Sequence, residues 1–294
     1  MYTGAVLTNR ENNRVRMGLG IVVLALSSFM LPSRFMPPAR ADDSRPIYDR
    51  AEALLAAENY ESALEEFTGS MLRESRSAEV FKERAKCHLG MRNYDSALAD
   101  LGTALDIDST YWPAWNNRGI IYANHLGMYD AAYADYEMSI ANGGAAYSYV
   151  NRARAYLDQE LFDSAIADFG RAIEEDPQYI PSYEGRVSAR FKAGDYAGAL
   201  PDLEHILAAS DDVMELTFAY RHRAWCRMRL KLWDAAEQDF ASAIELSPED
   251  NDVYHDRGGM YYFMAKDAYG SALAFDTQDA VAMARSRGLY IEHD

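Results

Sequence analysis

An arginine, in most cases followed by a small residue, returns along this chain at a fixed interval. The dipeptides are Arg50-Ala51, Arg84-Ala85, Arg118-Gly119, Arg152-Ala153, Arg186-Val187, Arg223-Ala224 and Arg257-Gly258, and the arginine positions advance in steps of 34, 34, 34, 34, 37 and 34. An alanine repeats with them, at Ala63, Ala97, Ala132, Ala165, Ala199 and Ala236. Three positions before each alanine stands an aromatic: Tyr60, Tyr94, Tyr129, Phe162, Tyr196 and Trp233. Four positions after it stands Phe67, Leu101, Tyr136, Phe169, Leu203 or Phe240. Spacings of three and four indicate amphipathic helix, and no alternating strand pattern competes with them. Asn59, Asn93, Gly194 and Asp195 are suited to turns between the two helices of a unit. A lone helix pair cannot bury its apolar face, so such units must stack on their neighbours.

The stretches Trp115–Tyr122 (WNNRGIIY) and Phe162–Pro177 (FDSAIADFGRAIEEDP) carry the pattern most plainly. With its 34-residue period, the chain resembles the tetratricopeptide-repeat family over roughly residues 44–291. The resemblance implies an all-α fold, a right-handed superhelical α-solenoid of stacked antiparallel helix pairs. The expected hairpins are about 44–77, 78–111, 112–145, 146–179, 180–214, 217–250 and 251–279. The last is shortened, because Ala272–Asp276 arrives early for its second helix, and residues 280–294 are expected to form a capping helix and tail.

The repeating arginine stands where the family usually places an apolar side chain, so partial burial is expected, and a buried charge needs a partner. Each full unit offers one: Glu66, Asp100, Asp135, Asp168, Asp202 and Asp239 follow their arginines at offsets of 16, 16, 17, 16, 16 and 16. The expectation is a ladder of arginine–carboxylate pairs, Arg50–Glu66 through Arg223–Asp239, that fixes the register between helices.

With 46 acids against 29 bases the net charge is −17. Phosphate contact needs clustered positive charge, so nucleic acid is excluded as a partner. The segment 1–41 differs in character from the rest. Arg10, Arg14 and Arg16 precede an apolar run from Gly18 to Leu31, and Ala39-Arg40-Ala41 follows. This reads as a signal peptide cleaved after Ala41, hence an exported, periplasmic protein of a bacterium. The alternative is an uncleaved anchor in the inner membrane facing the periplasm, the one case in which the membrane is a partner.

No phosphate loop, nucleophile elbow or metal-ligand cluster is visible, and the chain reads as no enzyme, without cofactor or metal. His222 and Cys226 share a helix face, but two ligands do not make a zinc site. Cys87 and Cys226 read as buried space-fillers, four units apart. In the family the first helices line a concave groove. Residues expected there include Tyr48, Glu52, Lys82, Lys86, Asn116, Tyr147, Val150, Arg154, Glu184, Phe191, Lys192, Arg221, Trp225, Arg229, His255 and Tyr262. Eleven of these, Lys82, Lys86, Asn116, Tyr147, Arg154, Phe191, Lys192, Arg221, Trp225, Arg229 and Tyr262, are the candidate partner-binding residues. Their mix of arginine, lysine and aromatics suits a protein interface, with a somewhat acidic peptide or protein segment as partner. The family's chaperone-tail clamp is matched only in part, by Lys82 and Asn117. The function expected is a non-catalytic interaction scaffold or adaptor. The alternatives are a membrane-tethered assembly factor of the cell envelope and an accessory subunit of an enzyme.

Overall fold

The computed structural model describes residues 45–73 and 77–272, which fold into thirteen helices and no strand. Six antiparallel hairpins follow one another. They are α1 (Arg45–Ala56) with α2 (Tyr60–Arg73), α3 (Ala78–Gly90) with α4 (Tyr94–Ile107), and α5 (Trp112–Asn124) with α6 (Tyr129–Ala141). Then come α7 (Ala145–Asp158) with α8 (Phe162–Glu175), α9 (Ile180–Ala193) with α10 (Tyr196–Ala209), and α11 (Val213–Arg229) with α12 (Trp233–Leu246), and finally α13 (Asn251–Ala272). Each first helix packs on its own second helix and on the preceding one, and first helices touch in series, α1 on α3, α3 on α5, α5 on α7, α7 on α9 and α11 on α13. The fold is an all-α solenoid.

The periodic markers are its seams. Ala63, Ala97, Ala132, Ala165, Ala199 and Ala236 have no exposed surface, and Phe67, Leu101, Tyr136, Phe169, Leu203 and Phe240 are buried beside them. The third unit carries the largest of these side chains, Tyr136, and needs the smallest residue opposite. A Cβ on Gly119 would sit 2.7 Å from the Tyr136 ring and 3.2 Å from the Ala132 carbonyl oxygen. The one longer step arises from the stretch ahead of and within α11, which has 17 residues where α3, α5, α7 and α9 have 13 or 14. Asp212 starts it by accepting from the Met214 and Glu215 amides.

Each hairpin turns through one left-handed residue: Glu58, Arg92, Gly127, Glu160, Gly194 and Lys231, with φ between 56° and 79°. The residue after it returns its amide to the last helical turn, as in Asn93 to His88 O and Leu232 to Arg227 O, both 2.8 Å. This closes the helix C-terminus as a Schellman motif. Asn59, Asn93 and Asp195 then cap the second helix through side-chain oxygens. Met128, Leu161 and Leu232 hold the same place with no such bond.

Every arginine of the ladder, from Arg50 to Arg223, pairs with the acid that the spacing assigns to it. Arg84, Arg118, Arg152, Arg186 and Arg223 are bidentate, each through Nε and Nη2, at 2.5–3.1 Å. The carboxylate is the deeper partner. Asp100, Asp135, Asp168, Asp202 and Asp239 are at most 7% exposed, while these arginines are 11–22% exposed. Four of them lie over an aromatic ring three positions back, Phe81, Trp115, Tyr149 and Tyr220. The partial burial expected of Arg50 is not found: its side chain is 63% exposed. Among the described residues α1 is the outermost helix of the stack, packed on α2 and α3.

The seventh unit lacks the turn expected ahead of Ala272, and the remainder of its expected hairpin, 273–279, lies outside the described residues. Asn251–Ala272 is one continuous helix of 22 residues, with no turn ahead of Ala272. Where the sixth unit turns at Lys231-Leu232-Trp233, the seventh has Ala265-Lys266-Asp267. It lacks the aromatic that opens a second helix, and alanine and lysine both favour continued helix. Arg257 pairs back to Glu237 on α12. The capping helix expected at 280–294 and the leader expected at 1–41 lie outside the described residues.

Candidate functional site

The candidate groove residues come from the odd-numbered helices, and they separate into two groups along the stack. In the N-terminal group the charges satisfy one another. Lys82 on α3 is 1% exposed and pairs with Glu83, itself 2% exposed, which also accepts from Lys86 at 3.1 Å. Burial pushes the Glu83 carboxyl up, but Lys82 and Lys86 outweigh it and hold it below the usual carboxylate range. Burial, then the charge of Glu83, raises Glu52. Tyr48 donates to Glu79 at 3.2 Å. Asn116 is 1% exposed, and its Oδ1 accepts from Asn151 Nδ2 at 2.9 Å and from Ser148 at 3.3 Å. Lys82 and Asn116 were expected on a partner-binding wall, and the structure buries them instead. Each sits where neighbouring first helices press together, and each is held by polar contacts inside the stack. Val150 is buried as well.

Tyr147 begins the second group. It stacks on Trp112, with ring centroids 5.9 Å apart and planes 6° from parallel, and meets Tyr179 edge-on at 5.3 Å. Arg154 and Glu184 follow on α7 and α9. Burial lowers the Arg154 guanidinium. Burial pushes Glu184 up to about 7; Glu215 and Asp212 add to the effect and Arg154 opposes it. Burial also raises Asp158, against the pull of Lys192. Phe191 fills the α9–α11 junction, where the insertion lies, with edge-on contacts to Trp225 at 5.9 Å and His222 at 6.1 Å. Lys192, Arg229, His255 and Tyr262 are exposed, Tyr262 by 66%, and Arg229 lies 5.0 Å from the Tyr196 ring centre. Arg221 is committed to the fold, bonding Asp256 at 2.5 Å and Asp252 at 3.5 Å across to α13.

His222 and Cys226 are absorbed by packing. The imidazole Nδ1 lies 2.8 Å from the Phe218 carbonyl oxygen, and burial pushes its pKa down to about 4. Both cysteines are free and buried, and burial pushes each thiol up to about 12. Among the described residues no three histidine, cysteine or acidic side chains converge as a metal site, and no helix is long and apolar enough to cross a membrane. Of the run of Trp112, Tyr147 and Tyr179, sequence reasoning finds Tyr147 alone. The signal of the other two is an aromatic in the first turn of α5 and α7 or just ahead of α9.

The tetratricopeptide-repeat family model matches residues 146–179 and again residues 185–251. Both matched stretches belong to the tetratricopeptide-repeat family. Among curated proteins it is similar to mouse serine/threonine-protein phosphatase 5, 33% identical over 94 residues, covering 32% of this chain and 19% of the phosphatase. It is also similar to human tetratricopeptide repeat protein 6, 26% identical over 204 residues, or 66% of this chain and 38% of that protein. The chain therefore spans well under half the length of either relative. Among solved structures it resembles PilW, described as a widely conserved type IV pilus biogenesis factor, with a TM-score of 0.61 and 16% identity over 73% of this chain and 99% of that one. It also resembles YrrB, described as a tetratricopeptide-repeat protein with an unusual peptide-binding site, with a TM-score of 0.51 and 18% identity over 65% of this chain and 97% of that one. At these identities the two structures speak for the repeat fold alone.

Proposed function

We propose that this tetratricopeptide-repeat chain is a non-catalytic scaffold that holds a segment of another protein against its first helices, in the half from α7 to α13. One contrast carries the reading. Lys192, Arg229 and Tyr262 are exposed in this half, where Phe191 and Trp225 meet edge-on, whereas Lys82 and Asn116 in the N-terminal half are buried. Exposed arginine with tryptophan and tyrosine is the composition of interface anchors. A net charge of −17 sets these cations apart from the rest of the chain and favours a partner segment with some acidic character.

The basic start and short apolar run of segment 1–41 support export to a bacterial envelope, or tethering there if the segment stays on. N-terminal sequencing of exported protein decides between the two. The binding reading is tested by selecting peptides from a displayed library on the wild-type chain. Selected peptides should lose at least about tenfold in affinity to Lys192→Glu with Trp225→Ala, a loss of about 1.4 kcal/mol. Equal affinity for the double variant would sink the groove assignment.

A further inference from the structure

The missing turn of the seventh unit creates a cavity. Because α13 runs on past Phe263, its last turns overshoot the level at which α11 gives way to α12. Between this overrun and the α11–α12 turn lies a space of about 530 Å³, lined by Met228, Arg229, Lys231, Trp233, Phe263, Lys266 and Asp267. Its walls combine two aromatic rings and a methionine with three cations against one carboxylate, in a chain whose net charge is −17. Lys231 spends its charge on Asp267, an ion pair that ties the turn to α13. Arg229 lies over Tyr196, and Lys266 is exposed with no carboxylate within salt-bridge distance among the described residues. Leu230 and Leu232, in the same turn, are 37% and 51% exposed.

We propose that this cavity is a second binding site, which takes an aromatic side chain flanked by carboxylates on a partner protein. The ring would lie against Trp233 and Phe263, and the carboxylates would meet Arg229 and Lys266. Charge complementarity selects this occupant: a basic or neutral segment would leave two cations facing each other without a counter-charge. The inference rests on the reading that the chain binds protein segments, but it places a contact where the repeat pattern fails.

The chain has four tryptophans, so its indole N–H signals in a ¹⁵N-labelled sample can be told apart by Trp233→Phe and Trp225→Phe. The probes are acetyl-Glu-Phe-Glu-amide and acetyl-Lys-Phe-Lys-amide, titrated into the full chain. The Trp233 signal should move with the acidic peptide and stay still with the basic one. Lys266→Glu, at an exposed position outside the ladder, should weaken the response by about tenfold or more. No movement of Trp233 overturns the site, including the case in which the chain's own segment 273–294 fills it. Equal movement with the basic peptide, or indifference to Lys266→Glu, overturns it too. The Trp225 signal reports the groove separately. A silent Trp233 beside a Trp225 that responds to display-selected peptides defeats the cavity and leaves the groove reading standing.

Discussion

The first helices of the two halves present similar residue types and use them differently. In α3 two lysines are turned onto a buried glutamate, and in α5 an asparagine is drawn into the stack. Lys82 and Lys86 neutralise Glu83, and Asn116 is taken by Asn151 and Ser148. In α9, α11 and α13 much of the charge stays at the surface, and aromatic rings fill the junctions between helices. The ladder differs in the opposite sense. Asp135 has Arg118 as its one ion-pair partner among the described residues, whereas Asp202 is held by Arg186 and Arg190, and Asp239 by Arg223 and Arg227. Arg190 and Arg227 also donate to backbone carbonyls at the start of the second helix. The half that leaves its inner layer open is the half that ties its hairpins twice. A surface can stay unsatisfied for a partner when the scaffold beneath is held by other contacts.

Four comparisons can break or sharpen this contrast. The largest effect is expected at Glu83→Leu, which strands the fully buried Lys82 and should cost about 3–5 kcal/mol in chemical denaturation. Lys192→Ala, its exposed counterpart, should stay within about 0.5 kcal/mol. Next, Arg118→Leu should cost about 3 kcal/mol by leaving Asp135 buried and unpaired. Arg223→Leu should cost about half as much, because Arg227 still holds Asp239. Equal losses would show that the second arginine does nothing for the rung.

Third comes a pH effect at Glu184 in the C-terminal half. Glu184 rises to about 7 when folded, so its share of stability is full below the unfolded carboxylate range and is lost as pH climbs through 7. Glu184→Gln should therefore match the wild type near pH 4 and exceed it by about 3 kcal/mol at pH 8. A constant difference across that range would remove the burial account of Glu184. The smallest effect concerns helix caps. Leu161 stands uncapped and 46% exposed where Asn93 caps its own helix, so Leu161→Asn should add about 1 kcal/mol. A loss in thermal denaturation would mean that Leu161 packs against something the cap argument ignores.

The hairpins and the rungs are legible because both are written at a constant spacing. Arg152 and Asp168 meet because the stretch between them carries the chain down one helix, round a turn and back to the same level. Depth is not written that way. Arg50 and Arg152 occupy the same place in the period, yet one is 63% exposed and the other 11%, because burial depends on which neighbours stack above and below. Lys82 and Asn116 read as surface for the same reason. Periodic markers also cannot register a turn that is missing: Ala265-Lys266-Asp267 lets the first helix of the seventh unit continue to Ala272.

The division of labour between the halves is tested most directly by amide hydrogen exchange on the full chain, with and without a display-selected peptide. The account expects added protection in α7, α9, α11 and α13 and unchanged exchange in α1, α3 and α5. Protection concentrated in α1 to α5 would contradict it.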